Sequence, residues 1–219
     1  MARVAVPCPQ LSGGIDDFGA RHPHKYSGCD PVELVQWWEG PDQLPREKGV
    51  AYVGASAAGL CFYVWLEDQL IYTEARADNE RMWTLGDTAE FFIKPGVGRE
   101  DYWEIHITPN DLIMDIHIPS RANFTAGIIS WDEVIAATSG STKRVQVGEG
   151  EKEWALELCV PWAAFGLEAA PAAGEVWQFA VCRYNYPGNL DDPEHSSTAH
   201  LSEPGFHRYE EFSDLVFGG

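Results

Sequence analysis

Positive charge is scarce in this chain: 15 Lys and Arg stand against 34 Asp and Glu, a formal charge of −19 at pH 7. A surface that acidic repels phosphate backbones and anionic bilayers, where each contact needs a cation to displace counterions. Nucleic acid and membrane surfaces are therefore not expected partners. No stretch approaches the ~18 consecutive apolar residues of a membrane span. The opening MARVAVPCPQ lacks the charged start and apolar core of a secretory leader. As written, the chain is expected in the cytoplasm, or outside the cell if a leader has been removed. Cysteine is sparse: five residues, an odd number without a C-x-x-C, suggest neither a complete disulfide set nor a zinc knuckle. Cys61, Cys159 and Cys182 sit inside strand-like runs and read as buried thiols, whereas Cys8 and Cys29 are free to pair. Also missing are G-x-S-x-G, P-loop, G-x-G-x-x-G and H-E-x-x-H patterns. Nucleophilic hydrolase, nucleotide-binding and zincin chemistry thus have no motif behind them.

What is abundant is apolar and aromatic surface, with 45% hydrophobic residues and nine Trp among 219 positions. That is enough for a packed core in one unit, and one domain over 1–219 is expected. From residue 50 onward, β-type runs alternate with turns: VAYVGAS, GLCFYVWLED, TAEFFIKP, DYWEIHIT, LIMDIHIP, KEWALELCVP and VWQFAVCRYNY. This rhythm predicts an all-β chain, an antiparallel two-sheet sandwich of the immunoglobulin or jelly-roll kind with minor short helices. The helix candidates are PWAAFGL and DPVELVQWW, the second opened by Asp30 and Pro31. Residues 1–49 read as an irregular lead with an early strand at RVAVP. Within it, Trp37 and Trp38 suit cover over a sheet edge better than a binding platform.

Side chains alternate across a strand. In DTAEFFIK this sends Ala89, Phe91 and Ile93 inward and leaves Thr88, Glu90, Phe92 and Lys94 outward. In DYWEIHIT, Trp103, Ile105 and Ile107 go to the core while Tyr102, Glu104 and His106 share the other face. Leu112, Met114, Ile116 and Ile118 are expected to point to that core likewise, leaving Asp115 and His117 on the polar face across the hairpin. A wet outer face is ordinary for an antiparallel sheet. Tyr, His and Glu in neighbouring rows, however, also offer flat stacking surface plus donors and acceptors, which suits a small polar ligand such as a sugar.

The segment MWTLGDTAEFFIKPGVGREDYWEIHITPNDLIMDIHI resembles the W-x-D-D-x-V-E-x-F-I and Y-Y-E-F-x-I-N-P-x-G succession of carbohydrate-binding module family 9-like domains, relatives of the DOMON β-sandwiches. LELCVPWAAFGLEAAPAAGEVWQFAVCRYNY and PGFHRYEEFSDLVF are similar to that family's later motifs, so the resemblance spans about residues 50–217. It implies a two-sheet sandwich that binds a glycan end without turnover, held between two tryptophans by a Glu and polar strand residues. By position, Trp83 matches the first tryptophan and Glu90 the hydrogen-bonding acid. Glu104 and His106 fall on the outward strand positions, and Asn185 closes the R-Y-N run. Where relatives carry the second tryptophan, STAHLSEPGFH places His200 or Leu201, leaving Phe206 or Tyr186 to stand in as a wall. The expected ligand-binding set is Trp83, Glu90, Tyr102, Glu104, His106, His117, Asn185 and His200, with a saccharide as partner and no catalytic residue or metal ligand assigned.

Other chemistries rank below this one. Glu90 and Glu104 on one face fit the two carboxyls of a glycosidase. His106, His117, His200 and His207, with Glu104, Asp115 or Glu203, fit an imidazole and carboxylate metal site. Met82 or Met114 with a histidine fits the haem of DOMON-type sandwiches. Asn189, Asp191, Asp192 and Glu194 supply oxygens for Ca²⁺ without a defined loop pattern. A sandwich that meets another protein through this face is the rival from a different class. No oligomeric state follows from the sequence.

Overall fold

Strands with apolar side chains on both faces need cover on both faces, and that requirement shapes this molecule. The computed structural model describes residues 3–41, 43–135, 138–150 and 152–218. The strands run in the order β1 (Ala5–Cys8), β2 (Val32–Glu33), β3 (Gly49–Ala55), β4 (Gly59–Glu67), β5 (Thr88–Lys94) and β6 (Tyr102–Ile107). They continue with β7 (Ile113–Ile118), β8 (Thr142–Val147), β9 (Glu153–Pro161), β10 (Val176–Asn185), β11 (Glu194–Ser197) and β12 (Ser213–Phe217). Among the described residues they build two sheets. One has the order β1-β12-β10-β5-β6-β7 with β11 beside the end of β10, and the other has the order β2-β3-β4-β9-β8. All pairings are antiparallel except β1 with β12. The architecture is an all-β sandwich. No helix among the described residues is long and apolar enough to cross a membrane.

The central core lies between the sheets. Phe91, Trp103, Ile105, Phe179 and Val181 meet Val53, Phe62, Val64, Leu156 and Leu158, and Phe62 touches both Phe91 and Phe179. A second apolar cluster covers the outer face of the larger sheet. There Phe92, Tyr102, Met114, Ile116 and Ile118 pack under Met82, Val134, Leu201, Phe206 and Phe212. Its cover comes from the loop ahead of β5, from two short helices, α1 (Arg121–Thr125) and α2 (Trp131–Ile135), and from the chain between β11 and β12. A third cluster sets Phe18, Tyr26 and Cys29 of the N-terminal lead over Tyr52, Tyr63 and Trp65 of the smaller sheet.

Two local expectations are corrected. DPVELVQWW forms no helix; Val32–Glu33 pair as a strand with β3. Trp38 packs against the second cluster, while Trp37 stacks on His200 with ring centroids 3.9 Å apart. Among the cysteines, a disulfide joins Cys61 and Cys159, which face each other across β4 and β9, and Cys8, Cys29 and Cys182 are free and buried. PWAAFGL does turn, as a 3-10 segment Trp162–Phe165 closed by Gly166 in the left-handed region at φ 77°.

Candidate functional site

The second cluster is interrupted by charge. Glu90 stands opposite His106 in the β5–β6 ladder, and Glu104 follows two residues along the same strand, so all three project from one face. They are 2%, 0% and 2% exposed, which makes this a dry site rather than a solvated face. His106 Nε2 lies 2.7 Å from Glu104 Oε1. On its other side, Nδ1 lies 3.2 Å from Glu90 Oε1, yet it makes no hydrogen bond among the described residues, and neither does Glu104 Oε2. His207 Nδ1 lies 3.7 Å from that oxygen.

Electrostatics separates the two acids. Burial, and then the charge of Glu104, push the Glu90 carboxyl well above the usual range. Burial also opposes ionisation of Glu104, but the pull of His207 and the hydrogen bond from His106 outweigh it and leave that carboxyl below its ordinary value. Two carboxyl groups this close in a dry setting do not both ionise readily. The pair therefore offers one weaker acid, Glu90, and one stronger, Glu104.

Above them opens a cavity of about 180 Å³ lined by Trp83, Glu90, Glu104, Trp131, Tyr184, Phe206 and His207, among others. Trp83 sits in a 3-10 turn, Met82–Thr84, bonded directly by Tyr186 and followed by a tightly fixed segment. The Tyr186 hydroxyl donates to the Trp83 carbonyl. Gly86, at φ 135°, passes so close to Tyr72 that a Cβ would stand 2.3 Å from its carbonyl oxygen, a position only glycine fits. Asp87 accepts the backbone N–H groups of Tyr72 at 2.5 Å and Tyr186 at 2.7 Å. The Trp83 ring meets the His106 ring at 5.4 Å and the Trp131 ring at 5.1 Å, tilted by 31°.

Of the eight residues expected from sequence, Trp83, Glu90, Glu104 and His106 converge here. Tyr102 stands one step back, fully buried, with its hydroxyl 2.8 Å from His207 Nδ1. His117 does not join them, and neither does Asp115. The β6–β7 ladder pairs Trp103 with His117 and Ile105 with Asp115, so both point to the side of the central core. His117 packs on Trp103 and lies 3.1 Å from Asp101, and Asp115 accepts from Ser139. Asn185 faces the other side of β10 from Tyr184 and bonds Arg183 and Glu47. His200 is engaged with Trp37 beside a separate cavity. Leu201 is fully buried in the second cluster. Phe206 does reach the cavity, whereas Tyr186 lines another one. Glu194, one of the oxygens considered for Ca²⁺, is tied to Arg46.

The residue the sequence reading missed is Trp131. Its position was legible: Ser130 and Glu133 have the S-x-x-E spacing of a capping box. The Ser130 N–H donates to Glu133 Oε2 at 2.8 Å and the Glu133 N–H to Ser130 Oγ at 3.3 Å. The helix so started sets Trp131 against Trp83.

No family model matches the chain, and no curated protein is significantly similar to it. Solved structures are similar over almost its whole length. A candidate carbohydrate-binding protein from Bacteroides uniformis superposes with a TM-score of 0.68 at 16% identity, covering 99% of this chain and 100% of its own. A carbohydrate-binding module family 9 protein from Caldicellulosiruptor kristjanssonii in complex with cellotriose gives 0.64 at 9% identity, covering 100% and 94%. The fold is that of carbohydrate-binding module family 9. A family 9 structure from the same organism in complex with glucose gives 0.64 at 8% identity, covering 98% of this chain and 96% of that one. At such identities the family 9 fold is what the likeness carries. The ligand has to be argued from the side chains.

Proposed function

We propose that the chain binds the end of a saccharide, without turning it over, in the cavity above Glu90 and Glu104. The observation that carries this is the convergence of an aromatic platform, Trp83, with the carboxyl groups of Glu90 and Glu104 in one cavity of about 180 Å³. That is below the ~300–1,000 Å³ typical of drug-sized sites, a size for one sugar ring rather than a chain. In this reading Trp83 lies against the C–H face of the ring, Glu104 accepts from hydroxyls, and Glu90 donates. His106 holds Glu104 in place. The ligands of the C. kristjanssonii neighbours, glucose and cellotriose, name the first compounds to try.

Trp131 adds a condition. A ring sandwiched by two aromatics needs about 7–8 Å between them, twice the ~3.5–4.0 Å of a carbon–carbon contact, and the two tryptophans stand 5.1 Å apart. The ligand therefore displaces Trp131, which rides on a five-residue helix, while Trp83 stays fixed by Asp87, Gly86 and Tyr186. Isothermal titration calorimetry with glucose, cellobiose and cellotriose tests the proposal. Binding in the micromolar to millimolar range is expected, weakened about tenfold or more by Trp83→Ala and several-fold by Trp131→Ala. Absence of heat across a broad glycan panel would sink it.

A further inference from the structure

The same face carries buried polar atoms that have no hydrogen-bond partner among the described residues. Glu90, Glu104 and His106 each present one ligand atom, and these atoms lie within 4.8 Å of one another. All three side chains are at least nine-tenths buried, and both His106 Nδ1 and Glu104 Oε2 lack a hydrogen-bond partner among the described residues. Leaving buried polar atoms unpaired is unfavourable. Two carboxyl groups at this spacing repel unless a proton or a cation sits between them.

We propose that Glu90, Glu104 and His106 bind a divalent transition-metal ion of the Zn²⁺ class, with its remaining coordination position open to the cavity beside Trp83. One imidazole nitrogen and two carboxylate oxygens are a donor set for Zn²⁺ and related ions, whereas Ca²⁺ and Mg²⁺ take oxygen alone. Three protein ligands with an open fourth position are the arrangement of accessible zinc sites. Metal–ligand bonds of about 2.0–2.2 Å place neighbouring tetrahedral ligand atoms a little over 3 Å apart; His106 Nε2 and Glu104 Oε1 stand 2.7 Å apart, and Glu90, 3.2 Å from Nδ1 at the other ring edge, swings toward Nε2 to complete the set. The ligands come from adjacent strands of a sheet buried on both faces, so the site is held by the ladder and not by a loop. His207, 3.7 Å from Glu104 Oε2 and bonded to Tyr102, stands at the rim as a positioning group for Glu104.

The inference stands apart from saccharide binding, because it is tested without sugar. The full chain, stripped with a chelator and dialysed, is titrated with ZnCl₂ by calorimetry, with CaCl₂ as a parallel titration. One Zn²⁺ per chain at micromolar affinity or tighter is expected, at least tenfold stronger than Ca²⁺, together with a rise in melting temperature. Glu104→Gln and His106→Gln, checked for folding by circular dichroism, should each weaken Zn²⁺ binding tenfold or more. Should either variant fail to fold, visible absorption bands of Co²⁺ bound to the wild-type chain report the same site, and their absence counts against it. A wild-type chain that takes up no stoichiometric Zn²⁺, equal affinity for Ca²⁺, or uptake unchanged in both folded variants overturns the proposal.

Discussion

Arg183 is a full cation inside the molecule, 1% exposed, and its neighbours explain how that is tolerated. Its guanidinium bonds the Glu67 carbonyl at 2.7 Å, Asp68 at 3.0 Å and Asn185 at 2.8 Å, with Glu47 at 3.8 Å. Asp87 lies at the edge of this network and is fully buried. Burial first, and the charge of Asp68 next, raise it to about 7 against the lowering effect of two backbone N–H bonds and Arg183. An acid that holds its proton more tightly in the folded chain than in the unfolded one stabilises the fold fully below the unfolded value of about 3.9. That contribution fades as the pH rises through about 7. Urea unfolding midpoints across pH 4 to 8 should therefore show the wild type losing ground to Asp87→Asn as the pH rises. The variant is expected to be weaker at pH 4, where it gives up one backbone bond. A difference between the two proteins that does not change with pH would contradict the assignment. Asn185 is the residue that sequence misplaced here. It follows an R-Y-N run in the strand, but Arg183 and Asn185 share the face opposite Tyr184, and a buried cation claims the amide.

At the scale of elements, β3 to β7, β9 and β10 were legible because each has six or more alternating or apolar residues between turn signals. The face of β7 was not. Ile107 pairs with Ile113 across the turn at residues 108–112, so residues of equal parity share a face, and the turn length decides this rather than hydrophobicity. Assigning the apolar residues of β6 and β7 to the same core presumes that one face of the sheet is wet. Here Met114, Ile116 and Ile118 fill a second core, and their partners across β6 are His106, Glu104 and Tyr102. The cover over that core depends on small elements, α2 above all, whose five residues are too few to hold as an isolated helix. Removing the cap with Ser130→Ala should cost about 0.5–2 kcal/mol of local stability. It should also speed amide hydrogen exchange around Trp131 and leave β5 and β6 protected. Unchanged exchange at 131–135 would show that packing against Trp83 and Phe124, not the cap, holds the helix.

For the whole molecule, the N-terminal lead is structural. It supplies β1 and β2 to the two sheets and the Phe18, Tyr26 and Cys29 cover over the smaller one. The cysteines report on that arrangement. Burial, before any neighbouring charge, lifts the Cys8 and Cys29 thiols to about 12 and Cys182 well above its ordinary value. Native protein should thus react slowly with a thiolate-specific reagent and release three thiols when denatured without reductant. Five would exclude the Cys61–Cys159 bridge. The amino-acid sequence by itself determined the all-β class, the positions of β3 to β7, β9 and β10, and the outward side of Glu90, Glu104 and His106, because strand periodicity is a local property of two alternating faces. Only tertiary structure decided that this outward side is buried, that Trp131 is the tryptophan beside Trp83, and that His117, Asn185 and His200 stand elsewhere. Those outcomes depend on turn register and on which distant segment covers which face, and neither is written in the spacing of residues along one strand.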